Sequence, residues 1–256
     1  MRRSLAASGI AAVLALGAAH ARAAEADLSW EKLEPGVEHA RARIQEPSEL
    51  VAAGAPFDLY RFDLARFRAQ VIVSPSRPFV RRRAADVLRD VPDAVAAVNG
   101  GFFDDKGAPL GLRIARGKTV VPLRAHVDWG VLLVTGDHAR IVHSSEFVAA
   151  PGIDAAIQVG PRILIDGVVP RLKPQAARRT AVALTKDGTS LTLVVAPSAV
   201  DAAALGARLA GLGFHSALLL DGGPSTQLAL AAGAGRNVAG AYGVPDLLAL
   251  LRRRRD

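Results

Sequence analysis

Ala217-Leu218-Leu219-Leu220-Asp221-Gly222-Gly223 is the stretch on which the fold turns. Its continuous apolar run is too short for a helix and ends on turn residues, as a buried strand does. Just before it, Ser198–Gly213 is Ala-rich with apolar residues at helical spacing, Ser198 standing as a candidate N-cap and Gly211 or Gly213 as the stop. A second segment has the same design, since Ala94 to Val98 is a short apolar run that ends on Asn99-Gly100-Gly101. In both, a strand delivers a polar side chain on a rigid support. The glycines beside it carry no side chain, so a ligand can approach the backbone closely.

Working outward, Phe57 to Leu64 alternates apolar and polar residues as a half-buried strand does, and Ala69 to Val73 continues in that style. Further strands are expected over Leu110–Ala115, Trp129–Val134, Ala139–Val142, Ile163–Ile165, Thr180–Leu184 and Leu191–Val195, with Lys186-Asp187-Gly188 as a hairpin loop. Phe79–Leu88 reads as a helix with basic residues towards one face, stopped at Pro92. Many strands and two good helices predict an α+β fold: a mostly buried β-sheet with a few packed helices, in a single domain.

Arg2-Arg3, the uncharged run Leu5–Ala19 and the small-x-small patterns ending at Ala23 read as a cleaved secretory leader over residues 1–23. The expected organisation is then N-terminal strands over 24–70, the main domain over 71–251 and a basic tail over 252–256, in a periplasmic or secreted protein. No later stretch is long and apolar enough to span a membrane. The chain has no cysteine, which excludes disulfides, thiolate metal sites and cysteine nucleophiles. Of the formal charge of +8, Arg2, Arg3 and Arg22 belong to the leader. Arg81-Arg82-Arg83 and Arg252–Arg255 read as a solvated helix face and a frayed tail. With aromatics at 5% there is little to stack on bases, and nucleic acid is set aside as a partner.

Four motifs stand in order along the chain: Asn99-Gly100-Gly101-Phe102-Phe103-Asp104; Gln158-Val159-Gly160-Pro161 with Asp166-Gly167; Arg179-Thr180-Ala181-Val182; and Leu220-Asp221-Gly222-Gly223-Pro224-Ser225-Thr226. In order and spacing the chain resembles the phosphodiester glycosidase family over roughly Val71 to Leu250. The resemblance implies a hydrolase acting on the glycosidic bond of a sugar-1-phosphodiester or a related envelope or exopolysaccharide glycan. It departs from the family's pattern at Tyr242-Gly243-Val244-Pro245, where such proteins often carry an arginine before the last strand. That departure leaves the substrate open.

Among the candidate residues, Asp221 is the first choice for chemistry. At the end of a buried run, desolvation raises a carboxyl pKa and a neighbouring cation lowers it. Asp104 is a candidate second carboxylate, of the kind ordinary glycosidases use, and the Asn99 amide could orient a sugar hydroxyl. Arg179 is the natural phosphate partner, because its planar fork can bind two oxygens and stays charged; Arg178 reads as solvated. Gln158 and the hydroxyls of Thr180, Ser225 and Thr226 join the expected substrate site, together with the Gly222 and Gly223 N–H groups. Gly-Pro-Ser-Thr around Ser225 lacks the second glycine of a nucleophile elbow.

His39, His126, His138, His143 and His215 show no short metal-ligand spacing. No cofactor is implied, although oxygens of Asp221, Asp104 and Asn99 could hold a hard divalent cation such as calcium. A phosphate monoester leaves with little protonation, so one carboxylate and one arginine would suffice for glycosyl transfer to water. The alternative from another class is a non-catalytic envelope protein that binds phosphate-bearing glycans through the same pocket.

Overall fold

Phe57 to Leu64 alternates, but both of its faces are buried: Phe57 and Leu59 enter one core, Tyr60 and Phe62 another. That doubling runs through most of the molecule. The computed structural model describes residues 28–254 apart from 46, 49, 52, 75–76 and 232–236. The leader expected over residues 1–23, and Arg255, lie outside the described residues.

A seven-stranded sheet runs in the order β1 (Glu31–Glu34), β2 (Val37–Arg43), β3 (Pro56–Asp63), β13 (Ser190–Asp201), β12 (Ala176–Leu184), β14 (Ser216–Leu219), β11 (Arg162–Leu164). A five-stranded sheet is ordered β7 (Lys118–Val121), β6 (Arg113–Ala115), β10 (Ala155–Val159), β8 (Gly130–Thr135), β9 (His138–His143). A third has β15 (Leu228–Leu230), β5 (Ala94–Asn99), β16 (Asp246–Arg252) and β4 (Phe67–Val73). Their inner faces meet in one core that joins Tyr60, Phe62, Val182 and Leu193 to Val71, Val98 and Leu248 and to Leu132, Ile157 and Val159.

Two α-helices cover outer faces. α1 (Ala84–Asp90) places Ala84 and Val87 on Ala97, Leu247, Ala249 and Leu251 of the third sheet. α2 (Ala202–Gly211) places Leu205 and Leu209 on Phe57, Leu59, Ala181, Ala183 and Val194 of the first. Strands covered on both sides have no polar face to show, which is why β5, β14 and β16 are continuously apolar. The fold is mainly β with few helices, further towards β than the α+β expectation.

Four local expectations are corrected. The segment before Ala84 is extended: Arg82 pairs antiparallel with Val244, exchanging N–H···O bonds of 2.9 Å in both directions. Helix α1 therefore starts only after Arg83, whose N–H donates to Asp86 Oδ2 at 2.8 Å. The arginines at 81–83 are accordingly no helix face, and Arg83 Nη1 donates to the Gly240 carbonyl. Ser198 is no cap, because β13 stays paired with β12 as far as Asp201, whose carboxylate accepts from Ala203 and Ala204 N–H and starts α2. Nor does the chain fray at Arg252: β16 includes it, Arg252 pairs with Glu34 at 2.6 Å, and Arg253 donates to the Leu64 and Gly136 carbonyls. Only Arg113–Ala115 of Leu110–Ala115 is strand.

Candidate active site

Strands β5 and β14 belong to different sheets, yet they end side by side. Asn99 ties them together. Its Nδ2 donates to the Asp221 carbonyl at 2.7 Å, while its Oδ1 accepts from Thr180 Oγ1 at 2.7 Å and from Gln227 N–H at 3.2 Å. Asp221 N–H donates in turn to the Gly100 carbonyl at 3.0 Å. The Asn99 carboxamide and the Thr180 hydroxyl are both fully buried and committed to this stitch.

The paired glycines have a further cause that sequence did not expose. Beneath Gly100-Gly101 lies a completely buried ion pair, Arg113 Nε to Asp246 Oδ2 at 2.6 Å. A Cβ on Gly100 would stand 1.7 Å from Asp246 Oδ1, and one on Gly101 2.4 Å from Arg113 Nη2. Asp246 Oδ1 accepts from Gly101 N–H at 2.8 Å, and Arg113 Nη1 donates to the Gln158 carbonyl at 3.0 Å. Burial pushes the Asp246 carboxyl up, against the opposing pull of Arg113. Neither residue was among the expected site residues. The signal was available: Leu112-Arg113-Ile114 and Asp246-Leu247-Leu248 each set a single charge, of opposite sign, against an apolar run.

Asp221 is half-buried. Desolvation pushes its carboxyl above the ordinary carboxylate range and Asp246 adds to the rise; hydrogen bonds from the Ser225 hydroxyl and Gly222 N–H, and the Arg113 charge, pull the other way. The Gly222 N–H lies 3.0 Å from Asp221 Oδ1, so that donor serves Asp221 rather than an outside anion. Ser225 is buried in the short 3₁₀ turn Gly223–Ser225, its Oγ 3.5 Å from the phenol of Tyr242. The left-handed φ of +58° at Gly223 makes this turn, and no side chain crowds it.

Arg179 pairs with Ala196 of β13, and beside it Leu220 N–H donates to the Thr180 carbonyl at 2.9 Å, just past the Ala181–Leu219 pair of β12 and β14. Nε and Nη2 of its guanidinium donate to the Val200 and Gln175 carbonyls. Burial draws its pKa down, and the charge of Asp201 holds it up. A Cβ on Gly222 would stand 2.9 Å from the Arg178 carbonyl, which is why glycine is needed there, and 3.9 Å, an ordinary contact, from Arg179 Nη1. Among the described residues Arg179 and Asp221 form no ion pair: the acid beside Arg179 is Asp201, and the charges beside Asp221 are Asp246 and Arg113. Arg178 is half-buried rather than solvated, its Nη2 bridging the carbonyls of Thr226 and Ala239. Arg178 Nε and Thr226 Oγ1 are buried without partners among the described residues.

Asn99, Arg179, Thr180, Asp221, Gly222, Gly223, Ser225 and Thr226 are thus brought together. Asp104 and Gln158 are not. Asp104 closes its own turn, its Oδ1 accepting from Ala108 N–H at 2.8 Å. Next to it, Phe103 meets Tyr242 edge-on, with ring centroids 6.3 Å apart. Gln158 sits on the far side of the Arg113–Asp246 pair. The calcium expectation fits poorly, since Asn99 Oδ1 and Asp104 Oδ1 already accept protein hydrogens. Among the described residues no group of three or more His, Cys, Asp or Glu side chains could hold a metal ion.

Residues 92–250 match the family model described as phosphodiester glycosidase. The uncharacterized protein YigE of Escherichia coli K12 is 34% identical over 110 residues, a match spanning 38% of this chain and 43% of that relative's length. Among solved structures, the catalytic domain of zebrafish N-acetylglucosamine-1-phosphodiester alpha-N-acetylglucosaminidase, auto-inhibited by its pro-peptide, superposes with a TM-score of 0.67. That likeness covers 87% of this chain and 86% of the other at 16% identity. A hypothetical protein from Synechocystis gives 0.60 at 16% identity, over 88% of this chain and 64% of that one. At such identities the likeness is one of fold.

Proposed function

This chain belongs to the phosphodiester glycosidase family, and from that premise we propose that it hydrolyses the bond between the anomeric carbon and the phosphate of a sugar-1-phosphodiester. One observation carries the reading. A desolvated carboxyl, Asp221, stands across a single glycine from a guanidinium, Arg179, whose hydrogen bonds go to backbone carbonyls alone. In this reading one substrate takes both groups, the sugar at Asp221 and the phosphate at Arg179.

In this reading Arg179 Nη1 holds a phosphate oxygen, and Asp221, ionised, takes a proton from a water at the anomeric carbon. The water oxygen bonds to that carbon as the carbon–oxygen bond to phosphate breaks. The bonding pair leaves on a phosphate monoester, which needs no proton to depart. A carboxyl with a raised pKa is the stronger base, which suits this role. Asn99 and Thr180 hold Asp221 in place, and Ser225 orients its carboxyl.

The assay is incubation of the purified protein with an N-acetylglucosamine-1-phosphodiester. Free sugar and an intact phosphate monoester are expected. Release of sugar 1-phosphate and a free alcohol would make the protein a phosphodiesterase and overturn the reading.

A further inference from the structure

Gln158 is singled out by sequence, yet the chemistry proposed at Asp221 makes no use of it. What it builds is a second cleft. Its buried amide makes four hydrogen bonds: Oε1 accepts from Leu112 and Arg124 N–H at 3.0 and 2.9 Å, and Nε2 donates to the Arg124 carbonyl and Ser144 Oγ at 2.9 and 2.8 Å. Ser144 Oγ donates onward to the Trp129 carbonyl. One side chain therefore fixes the segment after β7 to the turn after β9. Between them opens a cleft of about 590 Å³, lined by Leu123, Arg124, His126, Val127, His143 and Phe147 among others. That volume lies within the ordinary range of small-ligand sites, and a wall already held rigid loses little freedom on binding.

The cleft's polar lining is Arg124, His126 and His143 with Asp128, Ser144 and Ser145. Arg124's guanidinium lies 5.7 Å from the centroid of the Trp129 ring and makes no ion pair or side-chain hydrogen bond among the described residues. His126 is exposed and unpartnered there too, on a left-handed backbone with φ of 56° that a non-glycine residue adopts only at a cost. His143 reaches Asp128 at 3.3 Å, and that one carboxylate is 98% exposed. Leu123, Val127 and Phe147 supply apolar surface beside these groups. A guanidinium and two imidazoles beside apolar surface match a sugar ring, with its C–H faces, that also carries an anionic group.

Trp129, the chain neighbour of the lining residue Asp128, ties the cleft to the segment that follows Asn99. Trp129 meets Phe102 edge-on with centroids 5.1 Å apart, and the Phe102 carbonyl accepts from Arg113 Nη2 at 3.2 Å, beneath Gly101. We propose that this cleft is a second binding site, taking an anionic sugar, phosphorylated or carboxylated, from the same glycan that is cut at Asp221. The link to that glycan rests on the function proposed above; the binding itself does not.

The test is calorimetric titration of the Asp221→Asn protein, which cannot consume its ligand, with N-acetylglucosamine 1-phosphate, N-acetylglucosamine and inorganic phosphate. Two sites for the sugar phosphate are expected. Adding Arg124→Gln should weaken one of them tenfold or more, and adding Arg179→Lys should weaken the other. In histidine-labelled protein, the His126 and His143 resonances should move with the first site only. A single site, weakened by Arg179→Lys but indifferent to Arg124→Gln, with both histidine resonances still, would overturn the proposal. Because no arm depends on turnover, failure of the hydrolytic reading would show separately in the wild-type assay.

Discussion

Asp221 makes two commitments at the scale of a single residue. As the base it must be ionised, so activity should fall as pH drops through its raised pKa, with an acid limb above the ordinary carboxylate range. A limb at or below that range would remove Asp221 from the role. The same shift bears on stability. A folded-state pKa raised above the unfolded one favours folding below the unfolded pKa, and that contribution is lost as pH rises through the folded pKa. Ionised Asp221 therefore destabilises the fold at neutral pH. Asp221→Asn should abolish most turnover, retain ligand binding, and melt higher than the wild type at pH 7. The two melting temperatures should converge at pH values below the ordinary carboxylate range. Arg179→Lys keeps the charge but loses the fork, whose carbonyl bonds hold it beside Gly222. Its kcat/KM should fall by about one to two decades, the equivalent of about 1.5–3 kcal/mol for a charge-assisted bond. Unchanged kinetics would mean that Arg179 only braces Val200 and Gln175.

At the scale of elements, the site exists because the ends of β5 and β14 meet beside β12 and are pinned. Asn99 pins β5 to Thr180 in the middle of β12 and to Asp221, two residues past β14, and the Arg113–Asp246 pair pins β6 to the start of β16. Removing one member of a buried pair leaves the other charge desolvated, at a cost of about 3–5 kcal/mol. Arg113→Met should accordingly lower Tm by roughly 6–20 °C, while Arg113→Met with Asp246→Leu should recover part of the loss. A double variant no more stable than the single would mean that Asp246 is neutral in the fold. Strands whose two faces are buried were legible as apolar runs in β5 and β14, whereas β3 alternates in sequence and was expected to be half-buried. Helix starts were not, because Asp201 and Arg83 owe their positions to pairing with β12 and with Val244, contacts between residues distant in sequence. Local pattern at Ser198 and Phe79 lost to those contacts.

Across the whole molecule, the three sheets share one core, and the site lies where β5 and β14 end beside the middle of β12. Motif order put Asn99, Arg179, Thr180 and Asp221 forward together; in the fold Asn99 bonds to Thr180 and to the Asp221 backbone, and Arg179 lies by Gly222. Their order could not assign the roles. Asn99 and Thr180 turned out to bond to each other, the first glycine pair to clear a buried ion pair, and Gln158 to build a separate cleft, because only three-dimensional neighbours decide whether a polar group is free. The central claim is that the Asp221–Arg179 pocket breaks the anomeric carbon–oxygen bond. Hydrolysis of an N-acetylglucosamine-1-phosphodiester in ¹⁸O-labelled water tests it most directly, with the products weighed by mass spectrometry. The label should enter the released sugar and be absent from the phosphate monoester. Label in the phosphate would place the attack at phosphorus and contradict the account.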